Sequence, residues 1–188
     1  MKQFFVRPLA GALIALAATH AALAQKVKLD TSEGTIVLEL DREKAPKTVD
    51  NFLAYVRAGH YENVIVHRVI ENFMIQTGGY RPDLSEKPTR PPIALESRNG
   101  LSNVRGSVAM ARTNAPNSAT AQFFINVADN LFLDQANARD GEGYAVFGKV
   151  IDGLEVVDKI RATPTQASGM HQNLPAKPVL IKKATVEK

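Results

Sequence analysis

Arg68, Phe73, Met74 and Gln76 stand close together in the stretch Val66-His67-Arg68-Val69-Ile70-Glu71-Asn72-Phe73-Met74-Ile75-Gln76-Thr77-Gly78-Gly79. They supply one permanent cation, one amide and two large apolar side chains. A guanidinium beside an apolar floor can hold a carbonyl or a strained amide while the floor takes an uncharged ring. Taken alone, the stretch reads more simply as ordinary core, with Arg68 an edge-strand charge. A second stretch, Met110 to Ile125, runs through a small-residue loop into Gln122-Phe123-Phe124-Ile125. On strand alternation Gln122 and Phe124 share one face and Phe123 takes the other. A Phe124 turned to a site therefore brings Gln122 with it and supplies the opposite wall of a groove. Other chemistries find little material. His60, His67 and His171 follow the N-terminal segment without metal-ligand spacing, the chain has no Cys, and Ser118 lacks a nucleophile-elbow context. We expect neither a metal nor a cofactor.

The elements that must position these residues are mostly short strands. Val27 and Leu29, then Ile36, Leu38 and Leu40, alternate with more polar neighbours on either side of Thr31-Ser32-Glu33-Gly34, which predicts a hairpin. Val64, Val66, Arg68 and Ile70 alternate as one strand, and Phe73 to Gln76 as the next. Further β-like runs occupy Ser107 to Ala111, Gln122 to Val127, Tyr144 to Val150 and Val179 to Val186. Pro46 opens a helix with Val49, Phe52, Leu53 and Val56 on one stripe and Gly59 past its end. Leu154 to Arg161 reads as a second helix after Asp152-Gly153. Tyr80 to Pro92, with its four prolines, is expected as an exposed loop, and Thr163 to Pro178 as another irregular segment. Many short strands and two helices fit one closed or nearly closed antiparallel barrel with helices covering its ends.

A chain of 188 residues suits one well-buried domain. Lys2 and Arg7 lead into a charge-free run from Pro8 to Ala24 that ends on Ala22-Leu23-Ala24. This pattern predicts a secretory signal peptide over residues 1–24, cleaved after Ala24, and a mature domain over 25–188. The run is short for a membrane span. Without Lys2 and Arg7 the chain carries 21 Lys and Arg against 19 Asp and Glu, a net charge of +2. Such balance gives no nucleic-acid footprint. An exported chain without Cys has neither a disulfide framework nor the lipid-accepting Cys of a lipoprotein, so no stable membrane anchor is expected.

The order of His67-Arg68, Phe73-Met74 with Gln76, Gly106 to Ala111, Gln122-Phe123-Phe124-Ile125, Leu133-Asp134 and Val146-Phe147-Gly148-Lys149-Val150 resembles the cyclophilin-type peptidyl-prolyl cis-trans isomerases, most closely their exported bacterial branch. The resemblance implies a mainly β fold, a closed eight-stranded antiparallel barrel capped by two helices, with substrate held in a groove on its outer surface. It implies rotation about X-Pro bonds of unfolded or partly folded polypeptides, by a periplasmic enzyme assisting the folding of exported proteins. Arg68 would donate to the twisted amide. Phe73, Met74, Phe124 and Leu133 would hold the proline ring, Gln76 would orient Arg68, and Gln122 would line the groove. The backbone of Ala111 and Arg112 would pair with the peptide and fix the residue before proline. The chain departs from the better-known eukaryotic pattern at Arg112, where those members have Asn, at Phe132, where they have Trp, and at Tyr144, where they have His. Phe132 and Tyr144 are expected to line the substrate site. Without the indole donor, weaker binding of the family's cyclic peptide inhibitor is expected. The partner is polypeptide rather than nucleic acid, and the enzyme is expected to act as a monomer. The alternative is a non-catalytic proline-peptide-binding module or holdase on the same barrel; an oligonucleotide-binding small barrel lacks the exposed series of aromatics.

Overall fold

The computed structural model describes residues 25–187; the proposed signal peptide lies outside the described residues. The first hairpin forms as expected from β1 (Gln25–Thr31) and β2 (Thr35–Leu40). Its alternation buries Val27, Leu29, Ile36, Leu38 and Leu40 on one face. Helix α1 (Pro46–Arg57) follows, with proline in its first turn and Val49, Phe52, Leu53 and Val56 buried. No side chain of the helix's own N-terminus caps it. Glu96 does so from across the fold, accepting the N–H groups of Lys47 (3.1 Å) and Thr48 (2.8 Å) and the Thr48 hydroxyl (2.7 Å). A carboxylate there satisfies free donors and complements the positive end of the helix dipole.

The remaining strands are β3 (Val64–Ile65), β4 (Arg68–Ile70), β5 (Met74–Thr77), β6 (Ser107–Met110), β7 (Phe123–Asn126), β8 (Val146–Asp152), β9 (Thr165–Ser168), β10 (His171–Pro175) and β11 (Leu180–Glu187), with α2 (Leu154–Arg161) between β8 and β9. Nine strands form one antiparallel sheet in the order β3-β11-β1-β2-β8-β6-β7-β5-β4, and β9 and β10 pair separately. The sheet curls around a core in which Phe52 meets Phe123 edge to face (centroids 5.2 Å) and packs against Tyr61 and Phe147. The Tyr61 hydroxyl, fully buried, donates to the Ala121 carbonyl at 2.9 Å.

Three expectations are corrected. The sheet has nine strands rather than eight, and it is curled but open rather than a closed barrel. Both differences arise at Val66-His67, where the single strand expected over Val64 to Ile70 divides into β3 and β4. The Val66 N–H donates to the Val179 carbonyl (2.9 Å) and the His67 N–H to the Gln76 carbonyl (3.1 Å), so two consecutive residues bond to opposite neighbours and the ladder stops between them. The sheet's two edges are thus joined by covalent chain, not by strand pairing. The third correction concerns Thr163 to Pro178. It is not irregular but holds the β9–β10 hairpin, closed by the pair Ser168 and His171 around Gly169-Met170.

Candidate active site

Strand register aligns the site. Arg68 of β4 faces Gln76 of β5, Gln76 faces Phe124 of β7, Phe124 faces Ala109 of β6, and Ala109 faces Val146 of β8. Directly opposed residues of antiparallel strands point to the same side. The next row, Val69, Ile75, Ile125 and Val108, points into the core. One sheet therefore carries two apolar surfaces: the core inside, and outside it a second cluster of Met74, Ala109, Phe124, Leu133 and Val146. Phe73, Ala111 and Tyr144 flank that second cluster.

At one end of the row the Arg68 guanidinium donates a long 3.4 Å hydrogen bond to Gln76 Oε1, and Gln76 Nε2 donates to Gln122 Oε1 at 2.9 Å. The amide relay holds one side of the guanidinium while its other N–H groups stay available to the groove. Gly79 makes room for this relay, and Gly78 for the backbone of Ala121 and Gln122 beside it. A Cβ on Gly78, whose φ is +99°, would lie 2.6 Å from the Ala121 carbonyl oxygen, and one on Gly79 would lie 2.6 Å from Gln122 Nε2.

Phe73 lies in the turn before β5, and its ring stacks on Phe132 at 5.7 Å. Phe132, 58% exposed, is carried with Leu133 on a single 3-10 turn, Leu131–Leu133. That turn is fixed by buried amides: Asn130 Nδ2 donates to the Phe73 carbonyl (2.8 Å) and to Asn126 Oδ1 (2.7 Å), and Asn126 Nδ2 to Ser107 Oγ (2.9 Å). Asp134 accepts the Asn103 N–H (2.7 Å) and the Ser102 hydroxyl. On the opposite side Tyr144 meets Phe124 edge to face at 5.7 Å.

The Arg112 side chain has partners of its own. Its guanidinium, with the side chain 2% exposed, stacks 4.6 Å above the Tyr144 ring, donates through Nε to the Gly143 carbonyl (2.9 Å) and pairs with Asp140. That pairing holds the Asp140 carboxyl well below the usual carboxylate range. Arg112 thus props one wall of the groove. The Ala111 N–H is committed to the Gln122 carbonyl (3.0 Å). Among the described residues the Ala111 carbonyl and Arg112 N–H have no hydrogen-bond partner, which leaves one acceptor and one donor for an extended chain.

A family model described as "Cyclophilin type peptidyl-prolyl cis-trans isomerase/CLD" matches residues 26–186. The chain belongs to the cyclophilin family. It is 56% identical over 161 residues to peptidyl-prolyl cis-trans isomerase cyp18 of Streptomyces antibioticus, covering 85% of this chain and 97% of that one. With peptidyl-prolyl cis-trans isomerase B of Escherichia coli it shares 53% identity, covering 85% and 98% of the two chains. Among solved structures, a cyclophilin-type isomerase of Cryptosporidium parvum superposes with a TM-score of 0.73 at 28% identity, covering 88% of this chain and 98% of that one.

Within this cyclophilin the structure brings Arg68, Phe73, Met74, Gln76, Ala111, Gln122, Phe124, Leu133 and Tyr144 to one surface, with Phe132 at its rim and the Arg112 side chain behind Tyr144. Sequence reasoning missed Ala109 and Val146, which complete the apolar cluster, and Asp140, which anchors Arg112. It also missed the supporting amides. Asn126 carried a readable signal, being two residues after Phe124 and thus on the same outward face.

The His67 ring is packed between the sheet and the β9–β10 hairpin. His67 is 5% exposed, and its ring meets Tyr80 at 4.7 Å and His171 at 6.0 Å. Burial, then the nearby His171 and Arg68, lowers its pKa to about 4. A base buried neutral protonates more readily once unfolded, so its stabilising effect is full above about pH 6.5 and is lost as pH falls towards 4. The expected loss between pH 7 and 4.5 is about 2–3 kcal/mol, with His60, lowered by its own burial, acting in the same direction. Urea midpoints at the two pH values should show that loss for the wild type and a clearly smaller one for His67→Phe; equal losses would remove His67 as the cause.

Proposed function

We propose that the protein catalyses rotation about X-Pro peptide bonds in the groove bounded by Arg68 and Phe124. Rotation must break amide resonance, a barrier of about 18–20 kcal/mol, without bond cleavage, metal or proton loss. The requirement is tighter binding of the twisted amide than of either planar form. In the twisted state the proline nitrogen regains a lone pair and accepts a hydrogen bond. Arg68 supplies the donor, Gln76 and Gln122 hold it, and the cluster of Met74, Phe124 and Leu133, flanked by Phe73, receives the proline ring. Each interaction gained only in the twisted state, worth about 1.4 kcal/mol, contributes about tenfold in rate. The observation that carries this reading is the single row in which a held guanidinium stands beside an outward-facing apolar pocket. The Cryptosporidium parvum isomerase has also been crystallised in the presence of the dipeptide Ala-Pro, and the Met74–Phe124 cluster of this chain suits the same kind of ring. A protease-coupled assay on a proline peptide should show acceleration over the uncatalysed rate. Binding without acceleration would instead leave a proline-peptide-binding module.

The substrates fit unfolded or partly folded exported polypeptides, met in the periplasm after removal of residues 1–24. The basic residues, apolar run and Ala22-Leu23-Ala24 support export, and the family match begins at residue 26, just beyond the proposed cleavage point. Mass spectrometry of the periplasmic fraction should find a mature chain beginning at Gln25; an uncleaved chain retained in the cytoplasm would overturn this part of the reading.

A further inference from the structure

The β9–β10 hairpin packs beside β4, next to Arg68, and the isomerase chemistry makes no use of it. Its turn is Gly169-Met170, with Gly169 at φ +56°. Met170 is 83% exposed, a large apolar side chain where hairpin turns ordinarily carry small or polar residues. Beyond the turn the pairing slips between His171 and Leu174, a bulge that contains Gln172 and Asn173. Between this tip and the sheet lies an open recess of about 240 Å³, lined by His67, Arg68, Met170, His171, Gln172 and Asn173. It holds apolar surface in Met170, amide donors and acceptors in Gln172 and Asn173, and no carboxylate. The hairpin is itself fixed, because the His171 ring meets Tyr80 edge to face at 4.8 Å.

We propose that this recess is a subsite for the second and third residues after proline, favouring apolar side chains that lie against Met170. The inference rests on the proline-isomerase reading of the groove. Its direction follows from strand order. The backbone proposed to hold the residue before proline, Ala111 and Arg112, follows β6, whereas the hairpin lies beyond β4 at the other end of the row β6-β7-β5-β4. A chain that enters past Ala111 and seats proline on Phe124 leaves over Gln76 and Arg68. From β7 to β4 is two strand spacings, roughly 10 Å, or about three residues of extended chain. The third residue beyond proline therefore reaches the recess at Arg68, and the side chain of the second lies at its near edge. Methionine suits such a contact, because its unbranched, polarizable side chain adapts to partners of different shape. The amides of Gln172 and Asn173 offer hydrogen bonds to the backbone of the passing chain.

The test uses three peptides: one ending in an amide at proline, one extended with leucine at the second and third positions after it, and one extended with serine there. Exchange spectroscopy should give the wild type a kcat/KM about fivefold higher for the leucine than for the serine peptide, the size of one partly buried side-chain contact. In Met170→Ser that ratio should fall close to one. Methyl spectra of protein labelled with ¹³C-methionine provide a second reading, since the chain has only four methionines, one of them Met74 in the proline pocket. Met74 should shift with all three peptides, and Met170 with the leucine peptide. A shift of Met74 without one of Met170, or a leucine-to-serine ratio unchanged by Met170→Ser, overturns the subsite and leaves the isomerase reading standing. Absence of any Met74 response and of any acceleration overturns both.

Discussion

Replacing Arg68 by alanine should lower kcat/KM by about two to three orders of magnitude, comparable to removing one preorganised donor from a transition-state site. The fold should survive, because Arg68 is exposed and its side-chain hydrogen bond among the described residues is the long 3.4 Å contact with Gln76. A circular-dichroism spectrum and unfolding midpoint close to the wild type, together with the lost rate in a protease-coupled assay, make up the expected result. Arg68→Lys should recover only part of the loss, since an ammonium keeps the charge without the planar fork that Gln76 orients. A full rate in Arg68→Ala would remove the guanidinium from the mechanism.

The adjacent phenylalanines should give opposite results. Phe123 is fully buried against Phe52 and Tyr61, so Phe123→Ala should cost about 3–5 kcal/mol of stability while the molecules that remain folded keep near-normal kinetics. Phe124 lies on the outer cluster, where its ring forms a wall of the proposed proline pocket. Phe124→Ala should therefore cut kcat/KM by about 30-fold, equivalent to about 2 kcal/mol of lost apolar contact, with the smaller loss of stability of the two. Denaturant titration and steady-state rates on both variants separate the roles. Similar kinetic losses in the two would mean that strand alternation does not divide core from pocket at this position.

That division is also why much of the fold is readable in the residues themselves. Period-two alternation with one face buried fixes which side each residue takes, and it locates the first hairpin, β6, β7 and the Gln122–Phe124 pair. The α1 stripe and Pro46 mark the first helix as clearly. The sequence signal fails where burial does not alternate. In Thr165–Ser168 no residue is fully buried, so the strand has no apolar rhythm, and flanking prolines make the segment look like loop. Val64 to Ile70 alternates well, yet the break at Val66-His67 depends on hydrogen bonds to Val179 and Gln76, of which Val179 is distant in sequence. Within the site, Arg68 and Gln76 are accessible to short-range reasoning because they face each other across one tight turn. The Arg112–Asp140 pair is not, since loop conformation rather than strand period brings them together. Phe73 reaches the groove side because it precedes the regular part of β5, where alternation does not apply.

The arrangement of the sheet edges bears on how such a protein coexists with its substrates. Unfolded chains carry extended segments that would add readily to any long, unpaired strand, and a sheet edge offering that template invites self-association and co-aggregation. Here the edge strands are two and three residues long, and they follow one another in the chain with only Val66-His67 between them. β4 also has the β9–β10 hairpin beside it. A visiting polypeptide therefore finds too little open ladder to extend. The proposed outer groove, which would hold it only by a proline ring and a few backbone groups, would let it leave again.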